Sequence, residues 1–284
     1  MPELPEIEAI SRYLNSTIVE EIISDVNTFQ HTVIRTPSKR EFEDLLRETK
    51  VNNVGRIGKI LFFSLDKQAT SVKMYIDHGL TGRLAWYLPS QKLPAKTIFS
   101  IKFTNDKTLI YHDNRLHGAI WLFSTKTGEQ SEYPAIIEHY GPDILQISLK
   151  DFVDRLMKFR GEIKGILTNK KFVAGIGNAY VDEILFEAKI HPFTKRNQIS
   201  EDEFRVLYEA CRKILTEAVE KIYNILITTQ KLDNQQFWRQ QIFKIHLKGK
   251  HPCPVCDNPI STVKAKRFTN FCRKCQSSKN RYFI

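Results

Sequence analysis

From about residue 20 to residue 126 the chain alternates short apolar runs with polar breaks. The runs are ILFFSL at 60–65, SVKMYID at 71–77, IFSIKF at 98–103, TLIYH at 108–112 and AIWLF at 119–123. Their lengths and their β-branched and aromatic content predict strands. Asn105-Asp106 lies between two of them and predicts a hairpin turn. A helix is predicted at 5–14, with Pro5 early and Glu6 and Glu8 near the positive end of its dipole, and a short one at Lys39–Glu48. Short strands in quick succession imply an antiparallel sandwich or barrel. Thr125–Gln146 is polar, then contains Gly141-Pro142, and predicts a linker. Beyond it the period becomes helical. Ser200 and Glu203 form a capping-box pair, and Phe204, Leu207, Tyr208, Cys211, Leu215, Ala218 and Ile222 follow at helical spacing. Cys211 on that stripe is read as a small buried hydrophobe.

The 284-residue composition is globular and long enough for about two domains. No run of about 18 apolar residues predicts a membrane-spanning helix. The N-terminus, MPELPEIE, lacks the basic and apolar pattern of a signal peptide, so an intracellular, reducing compartment is expected. The net charge of +11 is unevenly spread. From Lys244 to Ile284, 7 Lys and 3 Arg face one acid, Asp257, giving +9, while the other 243 residues carry only +2. A basic segment on a near-neutral body suits a polyanion partner. A solubilising tail has the same composition.

That segment contains Cys253-Pro-Val-Cys256, fifteen residues, then Cys272-Arg-Lys-Cys275. Two such knuckles can place four thiolates tetrahedrally around one Zn²⁺. Four cysteine ligands leave no open coordination position, so the zinc is read as structural. Ligation adds about −2, which lowers the segment to about +7.

The first residues carry a second chemistry. Read plainly, MPELPE starts a helix. Removal of Met1 would also expose the secondary amine of Pro2. An α-amino group titrates near about 7.7–8 and Lys near about 10.4, so such an amine is partly unprotonated at neutral pH. Attack on a sugar C1′ gives a cationic iminium, an electron sink for phosphate elimination. Glu3 is placed to protonate the ring oxygen.

Taken together, these residues resemble the formamidopyrimidine-DNA glycosylase and endonuclease VIII family. The resemblance spans nearly the whole chain. MPELPEIE is closer to the formamidopyrimidine branch, KFVAGIGNAYVDEILFEAKIHP at 171–192 resembles the family's helix–two-turn–helix signature, and HYGPD at 139–143 resembles its linker. The resemblance implies Pro2 as Schiff-base nucleophile, Glu3 as proton donor and Glu6 as a supporting carboxylate. It implies Lys59 at the elimination step and Arg267 at the lesion phosphates. Gly177 and Asn178, in GIGNAY, open onto a helix N-terminus that suits phosphate, with Arg160, Lys164 and Lys171 nearby. Leu80 takes the family's Met position, Arg115 matches the residue facing the orphaned base, and His117 replaces the usual Phe wedge. Lys96 stands where the family often has a phosphate-binding His. Residues 228–246, at the lesion-capping loop, are Gln-rich and unlike the formamidopyrimidine pattern.

The expected fold is α+β: a β-sandwich domain with an N-terminal helix at 1–126, a linker at 127–150, a helix–two-turn–helix domain at 151–244 and a Cys₄ β-hairpin zinc finger at 245–284. The expected function is a bifunctional DNA glycosylase and abasic-site lyase of base-excision repair, needing one structural zinc. Its expected partner is double-stranded DNA with a damaged base or abasic site, the protein being monomeric, cytoplasmic and off the membrane. Oxidised purines are the expected lesions, with oxidised pyrimidines or abasic sites as the alternative. A non-catalytic zinc-finger protein that binds damaged DNA is the rival class. It accounts for the charge and the finger but not for Pro2-Glu3 with Lys59.

Overall fold

A computed structural model describes residues 1–88, 90–126, 129, 132–264 and 267–277. Residues 127, 128, 130 and 131 of the expected linker and 278–284 of the terminal segment lie outside the described residues. The chain forms two compact units. One comprises residues 1–138 with 220–238, the other 139–219 with 239–284.

The first unit begins with helix α1 (Leu4–Ile18). It starts one residue before the predicted helix and ends four after it. Leu4, Ile7, Ile10, Leu14 and Ile18 continue one buried stripe, and that burial overrides the weak helix propensity of Asn15, Ser16 and Thr17. The Ser16 and Thr17 hydroxyls each donate to the Tyr13 carbonyl at 2.8 Å. Nine strands follow: β1 (Ile23–Thr28), β2 (Ile34–Thr36), β3 (Lys50–Ile57), β4 (Ile60–Lys67), β5 (Thr70–Asp77), β6 (Gly82–Tyr87), β7 (Thr97–Phe103), β8 (Thr108–Asp113) and β9 (Ala119–Lys126). Helix α2 (Lys39–Leu46) lies between β2 and β3. It stops before Glu48, whose φ of 62° cannot continue a right-handed helix.

The strands form a sandwich of two sheets, ordered β1-β7-β8-β6 and β2-β9-β5-β4-β3. All pairings are antiparallel except β2 with β9, which is parallel. Asn105 and Asp106 make the β7–β8 hairpin as expected, with Asp106 at φ 63°. β3 is an edge strand, and α1 covers that edge. The Ser11 hydroxyl donates to the Val54 carbonyl at 2.7 Å, and the Val54 amide donates to Asn15 Oδ1 at 3.0 Å. Satisfying an exposed edge in this way blocks pairing with another chain.

The second unit contains α3 (Leu149–Met157), α4 (Ile163–Leu167), α5 (Asn178–Glu187), most of α6 (Glu201–Thr229), the end of α7 (Gln235–Ile242) and the hairpin β10 (Ser261–Lys264) with β11 (Phe268–Phe271). The capping box is formed: the Ser200 amide donates to Glu203 at 2.8 Å and the Glu203 amide to Ser200 at 3.3 Å. The predicted α6 stripe is buried, except that Tyr208 is half-buried and donates its hydroxyl to the Ile147 carbonyl at 2.9 Å. Cys211 is fully buried, and burial pushes its thiol pKa up, so it packs rather than reacts. No described helix is long and apolar enough to cross a membrane.

Candidate active site and nucleic-acid interface

In the first unit Pro2, Glu3 and Glu6 are all buried at the head of α1. Buried carboxylates need donors. Glu6 takes the Glu3 amide at 2.9 Å on one oxygen and the Gln235 amide side chain at 3.3 Å on the other. The Gln235 carbonyl in turn accepts from Arg83. The segment after α6 therefore reaches the N-terminal carboxylates through one buried glutamine. Lys59 sits half-buried in the tight β3–β4 turn beside Gly58, which has φ 59°. That turn is tied to α1. Arg56 pairs with Glu8 at 2.6 Å and also donates to the Gly58 carbonyl at 3.4 Å.

The β5–β6 and β8–β9 connections carry Leu80 on one side and Arg115 and His117 on the other. All three side chains are exposed. The bases of the two loops touch. A Cβ on Gly79 would lie 2.5 Å from the His117 carbonyl oxygen, so only glycine fits there. Lys96 is exposed just before β7, and its carbonyl accepts the Asp113 amide at 3.1 Å.

In the second unit Gly177 caps α5, and Asn178 is its first residue. Asn178 is half-buried and donates to the Phe268 carbonyl of the hairpin at 3.1 Å. Arg160 and Lys171 are exposed. Lys164 departs from the expected role. It is 8% exposed, and its ammonium donates to Asp182 at 2.7 Å, Thr269 Oγ1 at 2.9 Å and the Phe268 carbonyl at 3.1 Å. Three acceptors occupy the three donors of a lysine, so Lys164 secures the hairpin and has no proton left for a phosphate. Arg267 is exposed and immediately precedes β11.

Helix α5 also carries residues that sequence reading passed over. Asp182 is fully buried at its carboxylate and takes, besides Lys164, His246 Nδ1 at 2.8 Å and the backbone and side-chain nitrogens of Asn270 at 3.2 and 2.9 Å. Glu183 accepts the amides of Lys244, Ile245 and His246 at 3.0, 3.0 and 2.8 Å. Burial pushes the Glu183 pKa up, and those amides oppose the shift. The signal was an acidic pair inside the apolar run AYVDEILF, which is buried on nearly every side.

The four cysteine sulfurs converge, all within 4.8 Å of one another, with Cys253–Cys275 at 3.8 Å and Cys256–Cys272 at 3.4 Å. Zinc–sulfur bonds of about 2.3 Å in a tetrahedron require sulfurs about 3.8 Å apart, so the donor set fits Zn²⁺. Beneath them Phe186, Ile245 and Ile260 make a small apolar floor. Gln276 ties the last knuckle down, accepting the Cys272 amide and donating to the Ile190 carbonyl, each at 2.9 Å.

Comparison with known proteins decides the family. Residues 1–120 match the formamidopyrimidine-DNA glycosylase N-terminal domain, 141–229 its H2TH domain, and 250–277 the zinc finger found in FPG and IleRS. The chain is 33% identical to the formamidopyrimidine-DNA glycosylase of Bacillus subtilis, covering 98% of this chain and 100% of that one. It is 32% identical to the Cytobacillus firmus enzyme of the same name, covering 97% and 100%. The chain belongs to the formamidopyrimidine-DNA glycosylase family. Among solved structures, Lactococcus lactis Fpg in complex with N7-benzyl-Fapy-dG DNA superposes with a TM-score of 0.84 at 27% identity, covering 98% of this chain and 100% of that one. The same protein with DNA containing an oxidised pyrimidine gives 0.83. Membership of the formamidopyrimidine-DNA glycosylase family makes the Cys₄ group a structural zinc finger.

Proposed function

We infer that this chain excises damaged bases through Pro2. Family membership makes it a DNA glycosylase of base-excision repair with abasic-site lyase activity. The observation that carries the residue assignment is the buried Pro2-Glu3-Glu6 cluster heading α1. After removal of Met1, the Pro2 nitrogen attacks C1′ and the base leaves with the bonding electrons. The nitrogen lone pair then forms the iminium while Glu3 gives a proton to the opening ring oxygen. Loss of the C2′ proton expels the 3′ phosphate, and loss of the C4′ proton expels the 5′ phosphate. Lys59 serves the elimination, and Arg267 holds the phosphates. Water hydrolyses the remaining imine and frees Pro2.

Leu80, Arg115 and His117 fill the gap that the extruded nucleotide leaves. Lys96, Arg160, Lys171, Gly177 and Asn178 hold phosphates, so affinity falls steeply with salt. Oxidised purines are the substrate class that the relatives' names favour. Oxidised pyrimidines are the second reading, favoured by the dissimilar 228–246 segment and by the Lactococcus complex with such a lesion. The protein acts as a monomer inside the cell. Borohydride reduction on abasic-site duplex tests the chemistry: a covalent adduct is expected, and intact DNA binding with no adduct would leave only the zinc-finger binding reading. Excision across single-lesion duplexes with each opposite base separates the substrate classes.

A further inference from the structure

We propose that Asp113 is a positioning residue that sets both base-stack wedge loops from a single buried carboxylate. The inference rests on the wedge roles given above for Leu80, Arg115 and His117. Asp113 ends β8 and is fully buried. One carboxylate oxygen accepts the Thr81 hydroxyl and the Arg115 amide, the latter at 3.2 Å. The other accepts the Gly118 amide at 2.7 Å. The Arg115 amide also donates to Thr81 Oγ1 at 3.0 Å, so Thr81 relays between the two loops. The Asp113 carbonyl accepts the Leu116 amide at 3.2 Å.

These bonds fall on residues next to each wedge. Thr81 follows Leu80, the Arg115 backbone is itself held, and Gly118 follows His117. None of these bonds involves a wedge side chain, and all three wedges are exposed. The floor beneath is closed. A Cβ on Gly118 would lie 2.3 Å from the Tyr111 hydroxyl and 3.1 Å from Asp113 Oδ2, and one on Gly82 would lie 2.0 Å from the same hydroxyl. A buried, unpaired carboxylate is costly, and such a group persists where both oxygens accept hydrogen bonds. Here they join two loops that are distant in sequence. A wedge must enter the stack without refolding, and a fixed loop base spares it the ordering cost on binding.

Charge-assisted bonds make the assignment testable with a near-isosteric change. Asp113→Asn keeps the volume, but its amide group must face a donor, either Gly118 N–H or the Thr81 and Arg115 pair. The full chain is assayed in two settings. Single-turnover excision from a lesion duplex needs wedge insertion. Borohydride trapping on a single-stranded abasic oligonucleotide needs Pro2 but has no paired stack to fill. Asp113→Asn is expected to slow duplex excision about tenfold or more while changing single-strand trapping less than about twofold. A 2-aminopurine placed opposite the lesion should lose most of its fluorescence change on binding. Thr81→Val, which removes only the relay, should act in the same direction, and Thr81→Ser should restore the duplex rate. Equal losses in both settings, or no loss in either, would overturn the proposal, and Thr81→Val decides between the same outcomes if Asp113→Asn does not fold. Absence of trapping by the wild-type protein would instead fault the Pro2 chemistry.

Discussion

Neutralising Asp182 is the sharpest perturbation of the second unit. Asp182→Asn removes the charge opposite the Lys164 ammonium, which lies 2.7 Å away and 10% exposed at its side chain. It also turns an amide NH2 either towards the Lys164 ammonium on one side or towards the His246 and Asn270 nitrogens on the other, so one side loses its acceptor. Breaking one partner of a buried ion pair costs about 3–5 kcal/mol. A domain's whole stability is about 5–15 kcal/mol. With a urea m-value of about 2 kcal/mol/M, the midpoint should fall by about 2 M. Because Lys164 also holds the Phe268 carbonyl and Thr269 of the hairpin, chelator-accessible zinc should appear at lower urea than in wild type. The charge-balanced double variant Asp182→Asn with Lys164→Met should recover part of the loss, since the two sites share one interaction. A midpoint shift under about 0.5 M, or a double variant worse than the sum of the singles, would refute this role of Asp182. Salt dependence of DNA binding separates this role from a phosphate contact. Each lost phosphate contact lowers the slope by about 1. Lys171→Met or Arg160→Met should do so, and Lys164→Met should not.

Cys256→Ser should abolish zinc binding and DNA affinity together, read by metal content and by titration; retained affinity would make the finger dispensable for binding. Gln235→Ala removes a donor from Glu6 and the acceptor of Arg83. Single-turnover excision should fall about tenfold with DNA affinity nearly unchanged, and an unaltered rate would make the glutamine mere packing. His78 is buried, and burial lowers its pKa to about 3. It stays neutral when folded but gains a proton when unfolded below its usual value of about 6.5. Its contribution is therefore intact above that value and erodes by up to about 1.4 kcal/mol per pH unit as pH falls from 6.5 towards 3. His78→Phe should flatten the acid limb of a denaturation profile between pH 7 and 4.5, and parallel limbs for both proteins would contradict this.

Most of the fold was legible because it rests on local pattern. The strands at 60–65, 71–77, 98–103, 108–112 and 119–123 all lie within observed strands, since alternating apolar runs have one way to face a core. The capping box at Ser200 and the two cysteine knuckles carry their geometry in their spacing. Helix ends were less legible. α1 outran its expected end because Ile18 is buried and α1 packs on β3, more than about thirty residues further along the chain. The parallel β2–β9 pairing joins residues about 85 apart, and no local signal encodes it. Lys164 misleads for a related reason. In sequence it is one more cation near a glycine-rich turn, and only the fold brings Asp182 and β11 to its ammonium.

The net charge of +11 counts every cation alike, yet the described residues put cations to two uses. Exposed ones such as Arg160, Lys171 and Arg267 face solvent, where a polyanion can meet them, whereas Lys164 is buried and holds the hairpin to α5. Buried acids do the complementary work, each gathering donors from separate stretches of chain. Glu6 joins α1 to the segment after α6, Asp113 joins the β5–β6 and β8–β9 loops, and Asp182 joins α5 to the finger hairpin. A carboxylate suits this task because it offers about four acceptor sites and loses much when any is left unmet. Under the proposed roles, the positive charge sets how tightly DNA is held, and the buried negative charge sets where the contacting groups stand. Changes to exposed cations should move affinity and salt dependence, whereas changes to these three acids should move rate, specificity or finger integrity at nearly constant salt slope.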